Sequence, residues 1–149
     1  IVIVSSSLSK RGIINFNDIH SEQNYNKQKA YSDSKLANLL FARELSVMLK
    51  DTGVGVISLH PGMVITNLGR HVVSNFIMKT LGALAILLGM RDSEEGCQTV
   101  VYCSVAETLK GQSGIYIDKN FKSCSFPPNA LDNETARELW RLSEHLTKS

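Results

Sequence analysis

The sequence predicts an α/β fold on a parallel sheet, from an opening β-branched run, a long amphipathic helix free of glycine and proline, and a second β-branched run behind it. Strand, crossover helix and strand form one βαβ unit, and such units build parallel sheets with right-handed crossovers. The 149 residues are 43% hydrophobic and 20% charged. That length suffices for one domain with a real core, and that composition argues against disorder or a collagen-like repeat.

Taken in order, residues 1–4 (Ile-Val-Ile-Val) have the continuous apolar character of a strand buried on both faces, ended by Ser5-Ser6-Ser7. The polar, Asn-rich stretch 10–29 reads as a loop. Over 28–50, Leu36, Leu39, Leu40, Leu45 and Met48 or Leu49 recur at helical spacing, and Gly53 supplies the left-handed residue that stops the helix. Residues 54–59 form the second buried strand, closed by His60-Pro61-Gly62. Residues 76–90 are apolar on nearly every side, Lys79 being the charged exception. They are too short for a bilayer crossing, which takes about twenty apolar residues, so a buried or interfacial helix is expected. Asp92 or Ser93 caps the next helix, whose first turn carries Glu94 and Glu95 and which runs to Ala106. A third strand follows at 114–117, Pro127-Pro128 interrupts the chain, and Asp132 caps a last helix reaching Leu146.

Composition narrows the function classes. Sixteen basic and fourteen acidic residues give a formal charge of +2 with no long run of one sign, so nothing points to nucleic acid. Cys97, Cys103 and Cys124 have no metal-ligand spacing with His20, His60, His71 or His145. No metal site is expected, and an odd cysteine count fits a reducing compartment. The chain opens inside an apolar run without a Met, which reads as part of a longer protein.

Candidate chemistry concentrates in Tyr31-Ser32-Asp33-Ser34-Lys35. Residues four apart on a helix share a face, so the phenol and the ammonium can serve one site. A free phenol, with a pKa of about 10, is a poor acid–base group near neutrality. A neighbouring ammonium favours its phenolate and makes it a usable proton carrier. Alone the pair is weak, since Tyr-x-x-x-Lys arises by chance in roughly one chain in four of this length. Its position, opening the crossover helix behind a strand that ends in serines, raises its weight. Strand-end capping is the plainer role for those serines, a simple turn for Pro61-Gly62, and structural packing for His60 and His71.

Ile-Val-x-Val-Ser-Ser at 1–6, Tyr31-x-x-x-Lys35 and Pro61-Gly62-x-x-x-Thr66 together resemble, in order, the signatures of the short-chain dehydrogenase/reductase family. Tyr-Ser-x-Ser-Lys-Leu-Ala-Asn at 31–38, Thr66-Asn67-Leu68-Gly69-Arg70-His71, and the ending Glu134-Thr135-Ala136-Arg137-Glu138-Leu139-Trp140 resemble its retinol dehydrogenase group in particular. The resemblance implies the C-terminal part of a Rossmann-like doubly wound parallel sheet, with residues 1–149 a single partial domain that holds the catalytic and substrate-binding half. It implies an oxidoreductase moving hydride between NADP(H), in preference to NAD(H), and an alcohol or carbonyl, with a lipophilic retinoid-like substrate.

On this resemblance Tyr31 exchanges the proton, Lys35 tunes it and holds the nicotinamide ribose, and Ser6, the second serine after the strand, fixes the substrate oxygen. Pro61, Gly62 and Val64 bring backbone to the nicotinamide carboxamide, and Thr66 offers its hydroxyl to the cofactor. The apolar segment 76–90 falls where relatives place substrate-covering helices, with core packing or partial membrane association as the other readings. An intracellular location follows by resemblance, with association at the endoplasmic reticulum membrane allowed. The family's glycine-rich phosphate loop is absent from these residues, so the chain by itself is expected to bind cofactor weakly and to be inactive. An epimerase or dehydratase of the family's extended branch, and a catalytically silent binding module, are the alternatives.

Overall fold

The computed structural model describes residues 1–64 and 93–148. Thr66, His71, Asp92 and the apolar segment 76–90 lie outside them. The described elements are β1 (Val2–Val4), α1 (Lys27–Met48), β2 (Ile57–Leu59), α2 (Ser93–Val105), β3 (Ile115–Ile117), β4 (Ser123–Cys124) and α3 (Asn133–Thr147). The sheet order is β1-β2-β3-β4; the first three strands are parallel and β4 runs antiparallel to β3. This is the predicted α/β class, with α1 the crossover of the β1–α1–β2 unit.

Side-chain alternation along the strands sends successive residues to opposite faces of the sheet, and both faces are covered. On one face Tyr116 packs with Leu36, Leu39 and Leu40 of α1 and with Ala136 and Leu139 of α3. On the other, Ile57, Leu59 and Ile117 pack with Cys103 and Leu109. Burial among these apolar neighbours pushes the Cys103 thiol up to about 11, which keeps it neutral. Phe41 stacks on Trp140 with ring centroids 5.1 Å apart, joining α1 to α3 away from the sheet.

Local chemistry fixes the helix starts. The Asn26 side chain accepts from the Gln28 and Lys29 amides, both at 3.0 Å, and so caps α1. Asp132 does the same for α3, accepting from the Glu134 and Thr135 amides at 3.0 and 3.1 Å. Bonds from the Thr135 hydroxyl and amide hold the Asp132 carboxyl below its usual range.

Several expectations need adjustment. β1 is half-buried, with Val4 39% exposed, because within the described sheet it is an edge strand paired on one side by β2. Val54 is exposed, and β2 is shorter than the apolar run 54–59 suggests. Gly53 has the left-handed φ of 80° expected of it, but the turn also draws Asp51 to a φ of 65°. The stretch 10–29 contains two short 3-10 helices, Ser7–Arg11 running into it and Phe16–Asp18 within it, each capped by a polar side chain. The two residues of β4 carry too little pattern to be foreseen.

Candidate active site

The C-terminal ends of β1 and β2 lie side by side: the Ser5 amide donates to the Leu59 carbonyl at 2.7 Å. At this edge open α/β sheets bind their ligands. Two side-chain bonds seat the first turns of α1 on the end of β1. The Ser5 hydroxyl donates to the Lys35 carbonyl at 2.7 Å, and the Asn38 amide donates to the Val4 carbonyl at 3.0 Å. Tyr31, Lys35 and Asn38 follow one another at helical spacing, so the same face that meets the strand end carries the phenol and the ammonium.

Tyr31 and Lys35 are both half-buried, and the Lys35 ammonium lies 5.5 Å from the centre of the Tyr31 ring. A cation within about 6 Å of a phenol ring is attracted to its face. The two side chains converge.

The three serines separate by environment. Ser5 is 3% exposed and its hydroxyl hydrogen is engaged by Lys35. Ser7 is exposed at the start of a 3-10 helix. Ser6 is half-buried; its Oγ accepts from the Leu8 amide at 3.2 Å, and no described residue takes its hydroxyl hydrogen. A hydroxyl that accepts from the backbone and still has a hydrogen to give is suited to orienting a ligand oxygen.

Past β2 the His60 amide donates to the Ile117 carbonyl at 3.1 Å, and the chain then leaves the sheet. Burial lowers the His60 pKa below the usual histidine range, with Asp118 opposing. The neutral ring packs edge-on to Tyr116, with centroids 5.4 Å apart. Gly62 adopts a φ of 85°, and a Cβ there would lie 2.9 Å from Lys119 Cδ. This turn therefore favours glycine on two counts.

Val64 is set by α2. A Cβ on Gly96 would come 2.6 and 2.8 Å from the two Val64 methyls, so the helix backbone forms the wall against which Val64 rests. Gly96→Ala gains up to about 1 kcal/mol in helix propensity, but overpacking at such a contact costs about 1–3 kcal/mol. The expected net result is a lower urea midpoint, read by denaturation. A midpoint at or above wild type would show that Val64 moves freely.

Of the predicted site residues, Tyr31 and Lys35 meet on α1, Ser6 follows β1, Pro61 and Gly62 follow β2, and Val64 rests against α2; Thr66 lies outside the described residues. Sequence reasoning gave no role to Asn38, Asp33, Gly96, Gly12 or Asn129. Only Asn38 had a usable signal, the 31, 35, 38 spacing. The others act through contacts made by the fold.

A family profile described as short chain dehydrogenase matches residues 3–76, a stretch that holds the Tyr31–Lys35 and Pro61–Thr66 signatures and all but the first two residues of the opening one. Retinol dehydrogenase 14 of Homo sapiens is 46% identical over 144 residues, 97% of this chain and 43% of that protein. Human retinol dehydrogenase 13 is 41% identical over 150 residues, 98% of this chain and 45% of the relative. A crystal structure of an uncharacterized protein from Mycobacterium paratuberculosis superposes with a TM-score of 0.72 at 27% identity, covering 99% of this chain and 50% of that one. The chain belongs to the short-chain dehydrogenase family. Within it the similarity runs to the retinol dehydrogenase group, and the chain spans less than half the length of those curated relatives.

Proposed function

We propose that residues 1–149 are the catalytic and substrate-binding part of an oxidoreductase that interconverts an alcohol and a carbonyl with NAD(P)(H). The observation that carries this reading is the Lys35 ammonium over the half-buried Tyr31 ring, on the helix face stitched to the end of β1. A phenol beside a fixed cation, at the ligand-binding edge of a parallel sheet, is equipped to move a proton.

In the reducing direction the Tyr31 hydroxyl donates its proton to the substrate oxygen while the carbonyl carbon gains hydride; in oxidation the Tyr31 phenolate takes the alcohol proton. Ser6 donates a hydrogen bond to the same oxygen and fixes its distance from Tyr31. Lys35, whose ammonium lies over the Tyr31 ring, would hold the nicotinamide ribose hydroxyls. The chemistry supplied by a bound nicotinamide is hydride transfer at its C4 position. The Gly62 turn, with its φ of 85°, takes the chain out of the sheet at the ligand-binding edge, where its backbone would meet a planar carboxamide. Pro61, Gly62 and Val64 would face the carboxamide, and family resemblance assigns the Thr66 hydroxyl to the cofactor.

Family resemblance favours NADP(H), and the retinol dehydrogenases among the relatives point to retinol-like, lipophilic substrates. Among the described residues no helix is long and apolar enough to cross a membrane. Association with the endoplasmic reticulum membrane remains part of the proposal through family resemblance and the apolar segment 76–90.

The test is a full-length protein incubated with NADPH and a lipophilic aldehyde such as retinal, with NADPH loss and alcohol formation followed together. Equimolar loss and formation is the expected result. Failure to reduce any of a panel of aldehydes and ketones, with NADPH or NADH, would sink the reading.

A further inference from the structure

Ser6 is tied to a distant part of the chain by a hydrogen-bonded relay. Its carbonyl accepts from the Ser9 amide at 3.0 Å, and the Ser9 carbonyl accepts from the Gly12 amide at 2.9 Å, closing the 3-10 helix Ser7–Arg11 that Ser6 caps. The far end is closed from outside. Asn129, in the 3-10 turn Pro128–Leu131, donates from Nδ2 to the Ser9 carbonyl at 2.9 Å and to the Gly12 carbonyl at 2.8 Å.

Both partners are carbonyls, so only the amide nitrogen can face them. Asn129 Oδ1 is buried with no partner among the described residues. An unpaired buried acceptor is unfavourable, so the two donor bonds must offset it for this residue to sit there.

The anchored loop has no slack against the catalytic helix. A Cβ on Gly12 would lie 2.5 Å from the Ser32 carbonyl oxygen and 2.7 Å from Leu36 Cβ, which places the loop directly against the turn between Tyr31 and Lys35. The Ile13 amide donates to Asp33 Oδ1 at 2.8 Å on the same turn. Ser5, at the other end, is bonded to Lys35. Any shift of the Ser9–Gly12 end therefore tilts the short helix whose first residue follows Ser6.

We propose that Asn129 is a positioning residue for the reaction, holding the Ser6-capped helix in place against the α1 turn that carries Tyr31 and Lys35 by capping the carbonyls of Ser9 and Gly12. The proposal rests on the hydride-transfer reading above. Asn129→Asp in the full-length protein keeps the side-chain size, but an ionised carboxylate has no hydrogen to donate and faces two carbonyls.

The expected result is a fall in kcat of about ten-fold or more, the scale on which small misplacements act, with the Kd for NADPH unchanged within about two-fold. Amide hydrogen exchange should quicken at Ser9 and Gly12 and stay slow at Leu39 and Leu40 in the core of α1. Wild-type kcat, or a loss accompanied by faster exchange all through α1, would overturn the proposal, the second outcome marking a merely structural role. Asn129→Ser, judged by the same measurements, decides the matter should the aspartate variant not accumulate folded. Tyr31→Phe in the same assay separates the two readings. Unchanged turnover there removes the Tyr31 proton-transfer reading on which the proposal rests, whereas an inactive Tyr31→Phe beside a fully active Asn129→Asp removes only the positioning role.

Discussion

Replacing Tyr31 by Phe in the full-length protein is expected to lower kcat by about 10²–10⁴-fold, the range that a single positioned acid–base group contributes. The ring stays, so the face on which the Lys35 ammonium rests, 5.5 Å from its centre, stays with it. What leaves is the hydroxyl that the proposed mechanism uses to exchange a proton. Cofactor affinity should change little, because the backbone at Pro61–Val64 and the Lys35 ammonium are untouched. Stability should also change little, as Tyr31 is half-buried and its ring packing is retained. Stopped-flow turnover and equilibrium NADPH titration on the same preparation check both halves of the expectation. Unaltered turnover would remove the proton-transfer role.

The largest stability effect is expected at Leu39. It is fully buried, in a cluster with Leu36, Leu40, Tyr116, Ala130, Ala136 and Leu139 that joins α1 to the sheet and to α3. Leu39→Ala removes transfer free energy and leaves a cavity that neighbours on three elements cannot all collapse into. Core changes of this kind cost about 2–5 kcal/mol. That is a large part of the total for an ordinary domain. Urea denaturation should show a lower midpoint with an unchanged slope. A midpoint near wild type would mean that the α1–α3 packing is loose. Because α1 also carries Tyr31 and Lys35, activity at elevated temperature should fall with the midpoint, while kcat of the still-folded protein at low temperature is preserved.

Much of the fold was legible because its signals are local. The apolar spacing of Leu36, Leu39 and Leu40 gave α1, and all three prove buried. Asp132 announced α3, and its carboxylate accepts the amides expected of a cap. Tyr31 and Lys35 were legible as a pair because four residues make about one helical turn, a property of the backbone alone. The strand β4 was not legible, since the two residues Ser123 and Cys124 carry too little alternation to signal a strand. Nor could three adjacent serines be told apart by type. Their difference lies in which hydroxyl meets the Lys35 carbonyl.

The sequence by itself therefore determined the α/β class, the crossover helix and the phenol–ammonium pair, because each is written in short-range periodicity and residue chemistry. Only the tertiary structure decided that Ser5 braces the helix while Ser6 keeps a hydrogen to give, that Gly96 walls in Val64, and that Asn129 caps carbonyls 120 and 117 residues away. Such contacts join groups far apart in the chain, and no local pattern encodes them; they come into being when the sheet and its helices close on one another.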